Sequence, residues 1–359
     1  MIFFFICSLA HTHNMELFVF LRENKLAVIA FIALVLLFVY FVIVPSTTAE
    51  KQDILSSYVM TEAERQPKKR SVTLVTGFWD VGRNERPATQ YIGWLKDTLG
   101  MDAKFIVFAD KTTNAQLPVD KNKIVTVDMS LEEHPYYKLF YERNKVVLES
   151  KKFKDLEPQD KSAVRFRYPG YNVVIWGKAK VLEIAAEMNP FESDYFVWVD
   201  AGLSRYWWPR KGDAAENVRW PSNDPTIIKK VFGGGKTGDR ITIAMQANHK
   251  WKNVAVSACS LPYKGLLLEL PGTAGGIIGG PPKALKRFRK LQEEFIDNML
   301  ASGMTGTEEQ IRGPMHCANK GIFHAMSSSA PYLSYGPDYG YLDVHRAILD
   351  GKIEIEEDD

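Results

Sequence analysis

The same kind of segment recurs from Ser71 onward: a short run of β-branched and aromatic residues with almost no polar alternation. The runs are SVTLVTG from Ser71, KFIVFAD at 104–110, KIVTVD at 123–128, FVWVD at 196–200, ITIAMQ at 241–246 and GGIIGG at 275–280. A strand with one face in water alternates polar and apolar residues, whereas an uninterrupted apolar run needs cover on both faces. Stretches with helical spacing lie between the runs. Tyr91, Ile92, Leu95 and Leu99 mark one within Ala88–Gly100, and NVVIWGKAKVLEIAAEM is closed by Asn189-Pro190. Residues 132–156 are charged and mostly helical, Pro281–Leu300 carries its charges on one face, and another helix starts at Thr307. Strands alternating with helices predict an α/β domain, a mostly parallel sheet with flanking helices. Ligands of such sheets bind at the carboxyl ends of strands, near the point where the strand order reverses. Asp80, Asp110, Asp128 and Asp200 all fall at or just past predicted strand ends.

A different segment comes first. Leu26–Val44 contains no charged residue, and as a helix it spans about 28 Å, close to the hydrocarbon thickness of a bilayer. It reads as an uncleaved anchor rather than a secretory signal, whose apolar run is shorter. Arg22 and Lys25 precede it while Glu50 and Asp53 follow it, a slight bias that puts residues 1–25 in the cytosol. The expected organisation is a cytosolic segment 1–25, a transmembrane helix 26–44, a polar stem 45–70 and a lumenal domain 71–359. That is a single-pass type II membrane protein of the Golgi or endoplasmic reticulum, or of the cell surface. The 45 Lys plus Arg nearly cancel the 43 Asp plus Glu, which removes any global pull toward nucleic acid. Cys259 and Cys317 lie in the soluble part, and an oxidising compartment allows them to pair or to remain separate buried thiols.

Asp200 is the first candidate. A carboxylate leaving a buried strand can hold a divalent metal or a sugar hydroxyl, or it can cap its own turn, and spacing does not choose between these. Arg83 and Arg86 follow the first strand, as phosphate partners or as solvated arginines. Thr307 and Gln310 have the spacing of a helix capping box. FGGGKTGD at 232–239 lacks the first glycine of a P-loop and reads as a loop. His249, His316, His324 and His345 show no ligand spacing, and the aromatics Tyr206, Trp207, Trp208 and Trp220 suit either sugar stacking or core packing.

VTLVTGFWDVGR, VIWGKAKVLEIA, NPFESDYFVWVDAGLSR and TAGGIIGG together resemble the HtrL/YibB family, over roughly residues 71–340. The aromatic strand ending in Asp-x-small, after a helix with Trp-x-Lys, is similar to the core of GT-A-type glycosyltransferases. The resemblance implies transfer of a sugar from a nucleotide-sugar donor to a glycan, protein or lipid acceptor. It implies donor binding by Gly77, Arg83, Lys178 and Asp200, acceptor binding at Gly275 and Gly276, and Asp200 and Glu309 as the catalytic pair. Asp200 would also be the metal ligand for Mn²⁺ or Mg²⁺. The GT-A metal motif is Asp-x-Asp, however, and here the sequence is Asp200-Ala201-Gly202, so basic residues are the alternative partner for the diphosphate. The alternative function is a membrane-anchored, non-catalytic carbohydrate- or nucleotide-binding protein of the same family.

Overall fold

The computed structural model describes residues 71–156, 167–206, 228, 231–232, 238–245 and 273–327, all within the unit Lys69–Asp359. In chain order the strands are β1 (Val72–Phe78), β2 (Lys104–Ala109), β3 (Ile124–Asp128), β4 (Tyr195–Val199), β5 (Ile241–Met245), β6 (Thr273–Gly280) and β7 (Phe323–Ser327). The helices are α1 (Ala88–Leu99), α2 (Lys111–Asn114), α3 (Pro135–Glu149), α4 (Lys151–Leu156), α5 (Pro169–Met188), α6 (Pro282–Ala301) and α7 (Glu308–Ala318). The seven strands form one sheet in the order β3-β2-β1-β4-β6-β5-β7. Every neighbouring pair is parallel except those involving β6. The α/β class and the mostly parallel sheet expected from the apolar runs are observed.

Both faces of the sheet are covered, which is why its strands do not alternate. In β4, Phe196 and Trp198 join the core under α3, α5 and α6. Tyr195, Val197 and Val199 join the opposite core with Ile92, Leu95 and Leu99 of α1. Helix α5 lies between α3 and α6 and against β4. It is apolar nearly all round, as a helix enclosed by neighbours must be. Its end is set by Asn189, whose φ of 35° is the left-handed conformation that asparagine tolerates. The chain then turns directly into β4.

Two features of topology create a site. β2 and β3 extend the sheet on one side of β1 while β4 lies on the other, so the loops after β1 and after β4 diverge over a crevice. β6 runs antiparallel to β4, with Val199 opposite Ile277, which carries residues 273–276 past the carboxyl end of β4. The sequence reading had foreseen neither this reversal nor β7, a short strand parallel to β5.

The predicted anchor, stem and cytosolic segment, residues 1–70, lie outside the described residues. Among the described residues no helix is long and apolar enough to cross a membrane. Cys317 is disulfide-bonded; Cys259, the other cysteine of the soluble part, is outside the described residues.

Candidate functional site

A cavity of about 290 Å³ opens at the carboxyl ends of β1 and β4. Gly77 to Val81 form one wall and Asp200 to Gly202 another, with Tyr171, Lys178, Glu308 and Glu309 across from them. Tyr171, Val174, Ile175 and Lys178 recur at i, i+3, i+4 and i+7, so one stripe of α5 forms the cavity side.

The carboxylate of Asp200 is fixed from two directions. Trp198 donates its indole N–H to Oδ1 at 2.7 Å, and Lys178 Nζ lies 2.9 Å from the same oxygen. Burial opposes its charge, yet Lys178 and the tryptophan donor outweigh burial and hold it below the ordinary carboxyl range. Both contacts come from side chains, not from the backbone of its own turn. Lys178 is only 4% exposed. Besides Asp200, its Nζ donates to Glu308 Oε1 at 2.7 Å and to the Gly275 carbonyl at 3.0 Å. Two of the three donors of the ammonium are hydrogen-bonded to protein oxygens and its charge also faces Asp200, so Lys178 is already engaged within the chain.

Glu308 and Glu309 are held at the start of α7 by a rigid approach. Thr307 and Gln310 close a capping box with both reciprocal bonds present, as the spacing predicted. The preceding turn is tied to α5 by Trp176, which donates to the Gly306 carbonyl at 2.9 Å. Thr305 donates to Asn144 of α3 at 2.6 Å. Glu309 Oε1 accepts from the Gly275 N–H at 3.3 Å. Burial and the neighbouring Glu308 charge push the Glu309 carboxyl up to about 7. The buried Arg312 donates to the Gly275 carbonyl at 3.2 Å.

Several expected roles change. Gly77 lines the cavity, but a side chain there would come within 2.6 Å of Trp79, so packing alone accounts for that glycine. Gly275 and Gly276 are not among the described residues lining the cavity. A Cβ on Gly275 would stand 2.6 Å from Glu308 Oε1 and 2.9 Å from Glu309 Oε1; the glycine makes room for two carboxylates. Arg83 does reach the cavity, with Nη1 donating to the Tyr91 hydroxyl at 3.1 Å and its guanidinium 5.4 Å from the Tyr171 ring centre. Asp110 and Asp128 are explained locally. Asp110 caps α2, accepting from the Thr113 N–H at 2.9 Å, and Asp128 accepts from Asn114 at 2.8 Å. His316 and His324 are buried away from the cavity. His249, His345, Trp207, Trp208 and Trp220 lie outside the described residues, as does most of the loop at 232–239.

Glu308 was missed by sequence reading, because an acid at a helix start is favourable in itself and marks no site. Arg205 was missed as well; it lines the cavity with its guanidinium 5.9 Å from the Trp94 ring. No pattern in the chain separates Glu308 from Glu309, because only the position of Lys178 distinguishes them.

Among the described residues no group of three or more His, Cys, Asp or Glu side chains is arranged to hold a metal ion. Asp200 Oδ1 already faces an ammonium and an indole N–H. These residues fit a lysine-balanced acid, not a seat for a divalent ion.

Comparison with known proteins gives one family match. Residues 70–220 match the HtrL/YibB family, described as a bacterial protein of unknown function. The match supports the family resemblance drawn from the motifs around Gly77, Lys178 and Asp200. No curated protein matches the chain. Among solved structures, the apo form of mouse xyloside xylosyltransferase 1 aligns with a TM-score of 0.35 at 10% identity, over 78% of this chain and 93% of that one. At that score the similarity carries no weight for function.

Proposed function

We propose that this chain is a nucleotide-sugar-dependent glycosyltransferase, with its donor bound in the crevice between β1 and β4. The observation that carries this reading is the juxtaposition at the reversal point of the sheet. A fixed, ionised Asp200 stands on one side of the cavity and Glu309, a carboxyl that titrates near neutrality, on the other. Asp200 is suited to accept from donor ribose or sugar hydroxyls. Arg83, Arg86 and Arg205 line the same cavity and supply the forked donors that diphosphate oxygens match. With Lys178 engaged by Asp200, Glu308 and Gly275, these arginines take over the role that the family resemblance gave to it.

In an inverting transfer, the acceptor hydroxyl attacks the anomeric carbon of the donor. Glu309 takes the hydroxyl proton, the bond to the diphosphate oxygen breaks, and the nucleoside diphosphate leaves with that electron pair. Negative charge grows on the leaving oxygens toward the arginine side of the cavity, where it is stabilised without new reorganisation. The acceptor is a glycan, protein or lipid hydroxyl. Leu26–Val44 is part of the same proposal, as the anchor that holds the domain at a Golgi or endoplasmic reticulum membrane.

The single carboxylate at the β4 end favours a second reading, a membrane-anchored binding protein without turnover. The two separate in one experiment on the full chain in detergent. Thermal stability is followed against a panel of nucleoside diphosphates and nucleotide-sugars, and the binders are then assayed for release of nucleoside diphosphate. A ligand at a hundred times its dissociation constant adds about 2.7 kcal/mol. The transferase reading expects a shift with one nucleotide, release of that diphosphate, and loss of release in a folded Asp200→Asn variant. A shift without release supports a nucleotide-binding protein without turnover, and no shift with any nucleotide refutes the transferase and leaves the carbohydrate-binding form of the second reading.

A further inference from the structure

The charges around Asp200 are already balanced by the chain itself. Lys178 Nζ has oxygens at 2.9 Å (Asp200 Oδ1), 2.7 Å (Glu308 Oε1) and 3.0 Å (Gly275 O). Two are carboxylate oxygens and one is a backbone carbonyl, which is the donor set that hard divalent ions take. In this fold they converge on a nitrogen instead. Lys178 comes from α5, Asp200 from the end of β4, Gly275 from β6 and Glu308 from α7, so the arrangement is built by four separate elements. Arg312 adds a second buried cation at the same carbonyl. Two positive side chains therefore stand against Asp200 and Glu308 before any ligand arrives. Burial opposes the charge of the lysine, but Asp200 and Glu308 outweigh it and raise its affinity for the proton. A divalent ion placed on Asp200 Oδ1 would lie beside that ammonium, with its ligand oxygen already occupied.

We infer that Lys178 is the resident cation of this site, occupying the oxygen cage that would otherwise seat a divalent metal, so that the donor binds without metal. The inference rests on the donor-site reading above, but its decisive measurement needs no nucleotide.

Mn²⁺ is titrated alone into the full chain, and bound metal is read from loss of the free Mn²⁺ resonance signal. The wild-type protein is expected to show no bound Mn²⁺ that Asp200→Asn removes. Lys178→Ala deletes the ammonium and leaves the three oxygens around an empty space. It is expected to gain about one Mn²⁺ per chain, to be stabilised by it, and to lose that ion again in the Lys178→Ala, Asp200→Asn double variant. Wild-type binding of one Mn²⁺ that disappears in Asp200→Asn would overturn the inference, and so would a folded Lys178→Ala protein that takes up none. If Lys178→Ala does not fold, the wild-type and Asp200→Asn titrations decide alone. A parallel nucleoside diphosphate series in EDTA and in Mn²⁺ keeps the two readings apart. Equal shifts in both support the inference. A shift confined to Mn²⁺ overturns it and leaves the transferase standing. No shift in either refutes the donor site and, with it, the claim that the donor binds without metal; the Mn²⁺ titration still reports whether Lys178 fills the cage.

Discussion

Glu309 lets the electrostatics of the site be read from outside. Its carboxyl is raised from an ordinary 4.5 to about 7, by burial first and by Glu308 second. A raised carboxyl binds its proton more tightly in the folded than in the unfolded chain. Its contribution to stability is therefore complete below about pH 4.5 and declines as pH climbs toward 7. Glu309→Gln should remove that decline and leave the variant more stable than wild type above pH 7, by roughly 1 kcal/mol once solvent screening is allowed for. Chemical denaturation between pH 5 and 8 checks it; parallel pH dependence in the two proteins would contradict the raised value. If Glu309 is also the base, turnover should rise with pH through about 7 in wild type and be lost in the glutamine variant. Beside it, Gly275→Ala places a methyl group 2.6 Å from Glu308 Oε1. That change should disturb both carboxylates and displace the midpoint of the same pH profile, and an unmoved midpoint would mean the carboxylates tolerate it.

The elements that hold the site are themselves closely fitted. Helix α7 begins in a reciprocal capping box, and Thr307→Ala should cost about 1 kcal/mol, as such caps do. Because the cap fixes the turn bearing Glu308 and Glu309, the same change should weaken donor-dependent turnover more than that stability loss explains. Helix α5 meets His134 with no room to spare: a Cβ on Gly177 would lie 2.0 Å from the imidazole Cε1. Overpacking of this kind costs about 1–3 kcal/mol. Gly177→Ala should lower the midpoint of denaturation accordingly, whereas Gly93→Ala, on α1 where a Cβ meets nothing within 4 Å, should not. Helix existence and type were readable for α1, α3, α5, α6 and α7, since each keeps an apolar stripe or a recognisable stop. β7 was not readable, because FHAMS is short and carries no apolar run that sets it apart.

Among the described residues, one ammonium ties four elements together. Lys178 links α5 to the ends of β4 and β6 and to the start of α7. Losing one partner of a buried ion pair costs on the order of 3–5 kcal/mol, since a charge is left uncompensated. Lys178→Met should therefore destabilise the fold far more than Lys180→Met on the same helix, whose side chain is 27% exposed and pairs with Glu183. Urea midpoints of the two variants compare them directly, and equal midpoints would deny Lys178 its central place. Membrane extraction of the full chain, against one lacking residues 26–44, tests the anchor: carbonate should release only the truncated protein.

The apolar runs and helical spacings were enough to define the layered α/β class, because burial on both faces of a sheet is written in every strand. Strand-end position made Asp200 a candidate, and the family resemblance added Glu309. They did not assign Lys178, Glu308 and Gly275 to one cluster. Those residues stand 97 and 130 positions from Lys178 in the two hydrogen bonds that join them, and no local period links such distant positions. The reversal of β6 brought them together. Whether a buried carboxylate is met by a metal, a lysine or its own turn depends on which atoms converge within about 3 Å of it. Convergence of that kind is a property of packing, not of any single segment.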